Sequence, residues 1–153
     1  MADRVSVTIR IGGGLSRIKL TDLVAIIESY ALTDWLGEYF HLDRITGLEP
    51  LELGANEVAW GRLGDLEDFC IANGLPFQRW CGSYPGGWEA ERLVYDGLTE
   101  PRSYTVTDND IVVVTEPEVC SLGTFGAIGA YLQSASLELP PLTIVDEGEQ
   151  DHG

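Results

Sequence analysis

Residues 4–11 alternate strictly, with Val5, Val7, Ile9 and Ile11 set against Arg4, Ser6, Thr8 and Arg10. A period of two predicts a strand with one buried face and Arg10 pointing away from it. Gly12-Gly13-Gly14 then predicts a flexible turn. Over 21–32 the period becomes helical. Leu23, Ile26, Ile27 and Tyr30 make one apolar stripe, Thr21 is a suitable N-cap, and Asp22 suits the positive end of the helix dipole. Residues 34–54 read as loop, with Trp35, Tyr39 and Phe40 in it and one short strand near Leu51–Leu53.

A second helix is predicted over 62–73. Leu63, Leu66, Phe69 and Cys70 share its inner face, Asp65, Glu67 and Asp68 look outward, and Asn73-Gly74 followed by Pro76 stops it. Residues 77–82 and 89–96 read as strands joined by the loop Ser83-Tyr84-Pro85-Gly86-Gly87-Trp88. Short strands follow near 102–106 and 110–115, with a polar turn at Thr107-Asp108-Asn109. The unbroken run Ile111-Val112-Val113-Val114 predicts a central strand covered on both faces.

Val119 to Leu137 is a stretch of nineteen residues without a charge, long enough to cross a bilayer. It also carries Ser121, Thr124, Gln133, Ser134 and Ser136, and it lies between Glu118 and Glu138 with no basic anchor. A buried helix over 121–134 is the better expectation, with Gly123, Gly126 and Gly129 letting its backbone approach a sheet. Pro140-Pro141 leads into a closing edge strand, Leu142–Val145. The fold class expected is α+β, a mostly antiparallel sheet with about three helices gathered on one face. One domain over 1–145 is followed by an acidic, frayed tail over 146–153.

Charge changes this picture most. The 153 residues hold 25 acids against 9 bases, a formal net charge of -16. Arg4, Arg10, Arg17 and Lys19 face one acid, Asp3, in the first 20 residues; the remaining 133 hold 24 acids and 5 bases. Such a field repels nucleic acid and anionic lipid and attracts cationic partners. The basic patch that direct DNA or RNA binding requires is missing. Duplex mimicry over the whole molecule is not expected, since about 40 Å of duplex carries roughly 23 phosphates and most of the 25 acids would need to share one face. An acidic patch beside an aromatic anchor meets no such obstacle. Cys70, Cys81 and Cys120 are odd in number and far apart, and no leader precedes the first strand, which together suggest reduced thiols and a cytoplasmic location.

Chemical motifs are few. His41 and His152 are the two histidines, and no CxxC or HxxxH spacing occurs, so no metal or cofactor is expected. Gly12-Gly13-Gly14 lacks the Gly-Lys-Ser/Thr of a phosphate loop, although Arg10, Arg17 and Lys19 make it the one cationic locale. Asp108-Asn109-Asp110 has adjacent acids where a calcium loop alternates them. Cys70 and Cys120 are expected to be buried, while Cys81 borders the glycine-rich loop, where Arg79 is expected to lower its pKa. None of this points to catalysis.

The residues expected to bind a partner are Tyr84, Trp88 and Trp35 as aromatic anchors, with Glu67, Asp68, Glu89 and Glu91 as acidic contacts. The partner expected is a basic protein surface, of the kind that holds nucleic acid, occluded by this acidic chain. Small, compact, acidic and without catalytic motifs, the chain resembles mobile-element inhibitors such as anti-CRISPR and anti-restriction proteins, in composition alone. Two alternatives stand beside that reading. One is a small enzyme or small-molecule binder with a pocket between the sheet and helix 121–134, using Cys81, His41 and Arg79. The other is a structural subunit that self-associates through the glycine-rich helix.

Overall fold

The structure, a computed structural model, describes residues 4–146. Most of the tail expected over 146–153, His152 included, therefore lies outside the described residues. The chain forms an α+β fold around a five-stranded antiparallel sheet. Its strands are β1 (Arg4–Ile11), β3 (Leu51–Ala59), β4 (Phe77–Cys81), β5 (Glu91–Tyr95) and β6 (Arg102–Thr105), in the order β3-β1-β4-β5-β6. The strand predicted first is thus central, with β3 and β4 paired to either side of it.

Alternation in β1 sends Val7, Ile9 and Ile11 into the main core. There they meet Leu51, Leu53 and Val58 of β3 and Phe77 of β4. Two helices cover this face, α1 (Leu20–Ser29) through Leu23 and Ile27 and α2 (Gly64–Ala72) through Leu66 and Cys70. Thr21 lies inside the first turn of α1, not at its cap, because a 3-10 turn over Arg17–Lys19 leads into the helix and puts Lys19 at the N-cap.

β3 runs far beyond the short strand expected. Between Val5↔Val58 and Val7↔Ala55 it carries one residue more than β1, a bulge that breaks the period of two. Gly12-Gly13-Gly14 is no hinge. Gly13–Ser16 is β2, which pairs in parallel with β7 (Leu142–Val145), the predicted closing strand. Gly12 is buried, and a Cβ there would fall 2.1 Å from the Pro140 carbonyl oxygen.

The helices do not all gather on one face. The predicted helix 121–134 is two helices, α3 (Glu116–Leu122) and α4 (Phe125–Ala135). Gly123 separates them in the left-handed region, with φ 80°. Thr115 and Glu118 form a capping box on α3, and the Thr124 hydroxyl caps α4. α4 lies on the face opposite α1 and α2, where Ala135 and Tyr131 pack on Val94 and Tyr104. Arg92 donates to the Ala135 carbonyl at 2.7 Å and so anchors the end of the helix.

Much of this helix pair is exposed, not buried: Phe125 is 93% exposed, Cys120 is exposed, and nothing lies within 4 Å of a Cβ built on Gly129. Its glycines therefore do not bring it against the sheet. The run Ile111–Val114 is not a central strand either. It makes one bridge, Val106↔Val112, leaves Ile111 exposed and lends Val112 to the α4 cluster. No helix among the described residues is long and apolar enough to cross a membrane.

Gly12→Ala should lower stability by about 3 kcal/mol, at the upper end of overpacking costs because the obstacle is backbone. A shift of the urea midpoint at unchanged slope would measure it.

Candidate functional site

Two surfaces are built from the residues that the sequence singles out, and they lie at opposite ends of β3. The first surrounds Trp35. Thr33 pairs with Gly54 of β3 on one side and with Tyr39 on the other, fixing both ends of a tight turn. Within it the Asp34 Oδ1 accepts from the amides of Leu36 at 2.9 Å and Glu38 at 3.0 Å, while Asp34 N donates to the Glu38 carbonyl at 2.8 Å. Arg44 holds the other carboxylate oxygen at 2.9 Å. The aspartate thus occupies the inside of the turn, and Trp35 is left on its outside, 86% exposed.

Beside it runs a groove of about 500 Å³, lined among others by Arg10, Asp34, Glu38, Arg44, Glu49 and Glu52. Arg10 pairs with Glu52 at 3.5 Å and Arg44 with Asp34. Glu38 and Glu49 have no ion-pair partner among the described residues, so the groove carries uncompensated negative charge next to an exposed indole. The basic locale read around Gly12–Gly14 is drawn into the acidic body, by the Arg10–Glu52 pair and an Arg17–Asp146 pair.

The second surface is a cleft of about 560 Å³ lined by Ala59, Trp60, Arg62, Cys81, Trp88, Glu89 and Glu91. Tyr84 and Trp88 bridge the loop and stack at 5.1 Å, and the Trp88 indole donates to the Gly82 carbonyl at 3.1 Å. Trp60, which the sequence did not single out, stands 6.2 Å from Trp88 and is 56% exposed. The structure brings Tyr84, Trp88, Glu89 and Glu91 together here and leaves Trp35 apart. Asp68 is exposed on α2.

Glu67 does not look outward. It turns inward because two donors hold it there: the Leu63 amide at 2.8 Å, at the start of its own helix, and Arg79 Nε at 3.1 Å. Arg79 sits on the core face of β4, its side chain 3% exposed, and also reaches Glu91 at 3.0 Å. Ser103 donates to the same Glu91 at 2.7 Å. The third guanidinium nitrogen, Nη1, is buried without an acceptor.

Cys81 is buried and its thiol pKa is raised. Burial outweighs the lowering by Arg79, so the group remains a thiol. His41 is on an exposed 3-10 turn and does not line this cleft, so the Cys81–His41–Arg79 grouping is not assembled. The space between α4 and the sheet is a recess of about 190 Å³ edged by Asp96, Glu100 and Arg102. The described residues hold no group of three or more His, Cys, Asp or Glu placed to bind a metal ion.

No family model, curated protein or solved structure matches this chain. Its function must therefore be argued from these two surfaces alone.

Two outcomes follow for the buried groups. Cys70 is pushed up to about 12 by burial, and Cys81 is raised. Exposed Cys120 should therefore be the one thiol that reacts rapidly with a disulfide reagent in the native protein at pH 8, and all three should react in denaturant. Glu67→Ala leaves Arg79 buried against Glu91 alone and should cost about 3–5 kcal/mol in chemical denaturation.

Proposed function

We propose that this chain is a binding protein that docks an acidic, tryptophan-centred surface onto a basic groove of another protein and occludes it. The observation that carries the reading is Trp35, almost fully exposed on a turn held by Asp34, beside the carboxylates Glu38 and Glu49, which have no ion-pair partner among the described residues. A large exposed aromatic on a solvated loop ordinarily folds back to bury itself. Here the Asp34 hydrogen bonds prevent that, so the ordering of the turn is complete before any partner arrives. Preorganised tryptophan with charge around it is the usual make-up of an interface hot spot.

Further exposed carboxylates lie on the helices, Asp22 and Glu28 on α1, Asp65 and Asp68 on α2 and Glu116 on α3. Their long-range field steers a basic partner inward, while the local concentration around Trp35 gives the contact its register. Such an inhibitor would need no catalytic group of its own, and a nucleic-acid-binding protein is the partner class whose functional surface is basic. The resemblance in composition to anti-CRISPR and anti-restriction proteins belongs to the same proposal.

The test is capture of basic proteins from the source cells at low salt, followed by quantitative binding of the captured partner. Affinity should fall steeply as salt rises, and Trp35→Ala should weaken it by about 30-fold or more, the loss of a hot-spot residue. Glu38→Gln with Glu49→Gln should slow association and flatten the salt dependence. Binding that Trp35→Ala leaves unchanged, or that is indifferent to salt, would refute the proposal.

A further inference from the structure

The cleft at the far end of β3 has its own construction, independent of the Trp35 turn. Trp60 has φ 60° and Gly61 has φ 65°. A left-handed conformation is a steric cost for a bulky residue and persists only where its surroundings impose it. Gly61 supplies that imposition. It is buried against Cys81, so that a Cβ would lie 2.9 Å from the Cys81 Cβ, and no other residue fits. The chain accepts strain at Trp60 and in return holds the indole half out of the protein, facing Trp88. Trp88 is itself fixed by its bond to Gly82 and its stacking on Tyr84.

The two indole centroids are 6.2 Å apart with planes tilted by 43°, and both rings line the cleft. One cation can lie within the roughly 6 Å reach of both rings. Charge favours the same occupant. The cleft and the ion pairs beneath it contain Glu67, Glu89 and Glu91 against Arg62 and Arg79, a local excess of one negative charge within a chain of net charge -16. Glu91 is committed to Arg79 and Ser103, whereas Glu89 has no ion pair among the described residues.

A primary ammonium would lose its water here and find one uncommitted carboxylate in exchange. An N-methylated ammonium has few or no donors to satisfy and spreads its charge over methyl groups that suit Ala59, the indoles and the neutral Cys81 thiol. We propose that the Trp60–Trp88 cleft is a binding site for a quaternary or N-methylated ammonium, with Trp60 and Trp88 as its π-faces and Glu89 as its counter-ion. The same chemistry is presented by a free small molecule and by a trimethylated lysine side chain.

The test titrates the full-length protein with choline and, separately, with a trimethyl-lysine peptide, following the indole N–H signals of Trp60 and Trp88 by NMR. The neutral isostere 3,3-dimethylbutan-1-ol is the control. Saturable shifts at both indoles are expected, with the neutral isostere at least 10-fold weaker. Tighter binding of the peptide than of choline identifies a protein-borne source, and the reverse order a free one. Trp60→Gly should abolish the shift at Trp88 without lowering the unfolding midpoint, because glycine removes the strained φ. Glu89→Gln, on the exposed rim, should weaken binding several-fold, and Arg62→Gln should strengthen it. Absence of saturable shifts with both cations, equal binding of the neutral alcohol, or unchanged binding by Trp60→Gly would overturn the proposal.

Discussion

The main core depends on β1, which pairs with β3 from Arg4 to Ile11 on one side and with β4 from Val7 to Ile11 on the other. Its apolar face is the floor of the main core, and its register sets the positions of both neighbours. Val7↔Cys81 and Val5↔Val58 place Cys81 and the end of β3 on either side of β1, and Gly61, just past β3, meets Cys81 beside the cleft. Arg10↔Glu52 and Thr8↔Gly54 fix the other end, where Thr33 joins the edge and launches the Trp35 turn. The Trp35 turn joins β3 at Gly54 and the cleft lies at Ala59, so the two candidate surfaces are roughly 17 Å apart along one strand, given about 3.3 Å per residue.

The buried Arg79 couples α2 to this sheet. A charge on the core face opposite Ile9 and Leu93 is tolerable because Glu67 and Glu91 both reach it. The arrangement is weak grounds for high stability, since paired buried ions repay their desolvation only partly. It does select one docking of α2, the one that brings Glu67 over β4. The Cys81 thiol on the cleft wall is kept neutral by its own burial, against the lowering by Arg79.

What was legible in the sequence was periodicity, and it located β1, α1, α2, β4 and β5 within a few residues. It failed where tertiary geometry interrupted the period. The bulge in β3 hid most of that strand, and the bulged residues Asn56 and Glu57 look like loop. Ile111–Val114 has the hydrophobicity of a covered strand, but the preceding turn, with Asp110 at φ 60° and clamped by Arg92, sends the run outside the sheet. The break between α3 and α4 had a local signal that uniform apolarity masked: Thr115 with Glu118 is a capping box and Thr124 a second N-cap just after Gly123.

At the candidate sites, the aromatic residues Trp35, Tyr84 and Trp88 were visible as large rings on loops. Trp60 was not, because its exposure depends on a left-handed turn that only the packing of Gly61 reveals. Glu67 was misplaced for a related reason. Helical spacing put it outward, and the buried arginine that draws it in comes from a strand twelve residues away.

Both proposed surfaces depend on exposed tryptophans being held in place and not merely loose. Backbone ¹⁵N relaxation at Trp35, Leu36, Gly37 and Trp60 measures that directly. Order parameters near 0.85, matching β1, are the result predicted for rigid presentation; values below about 0.6 at those amides would contradict it.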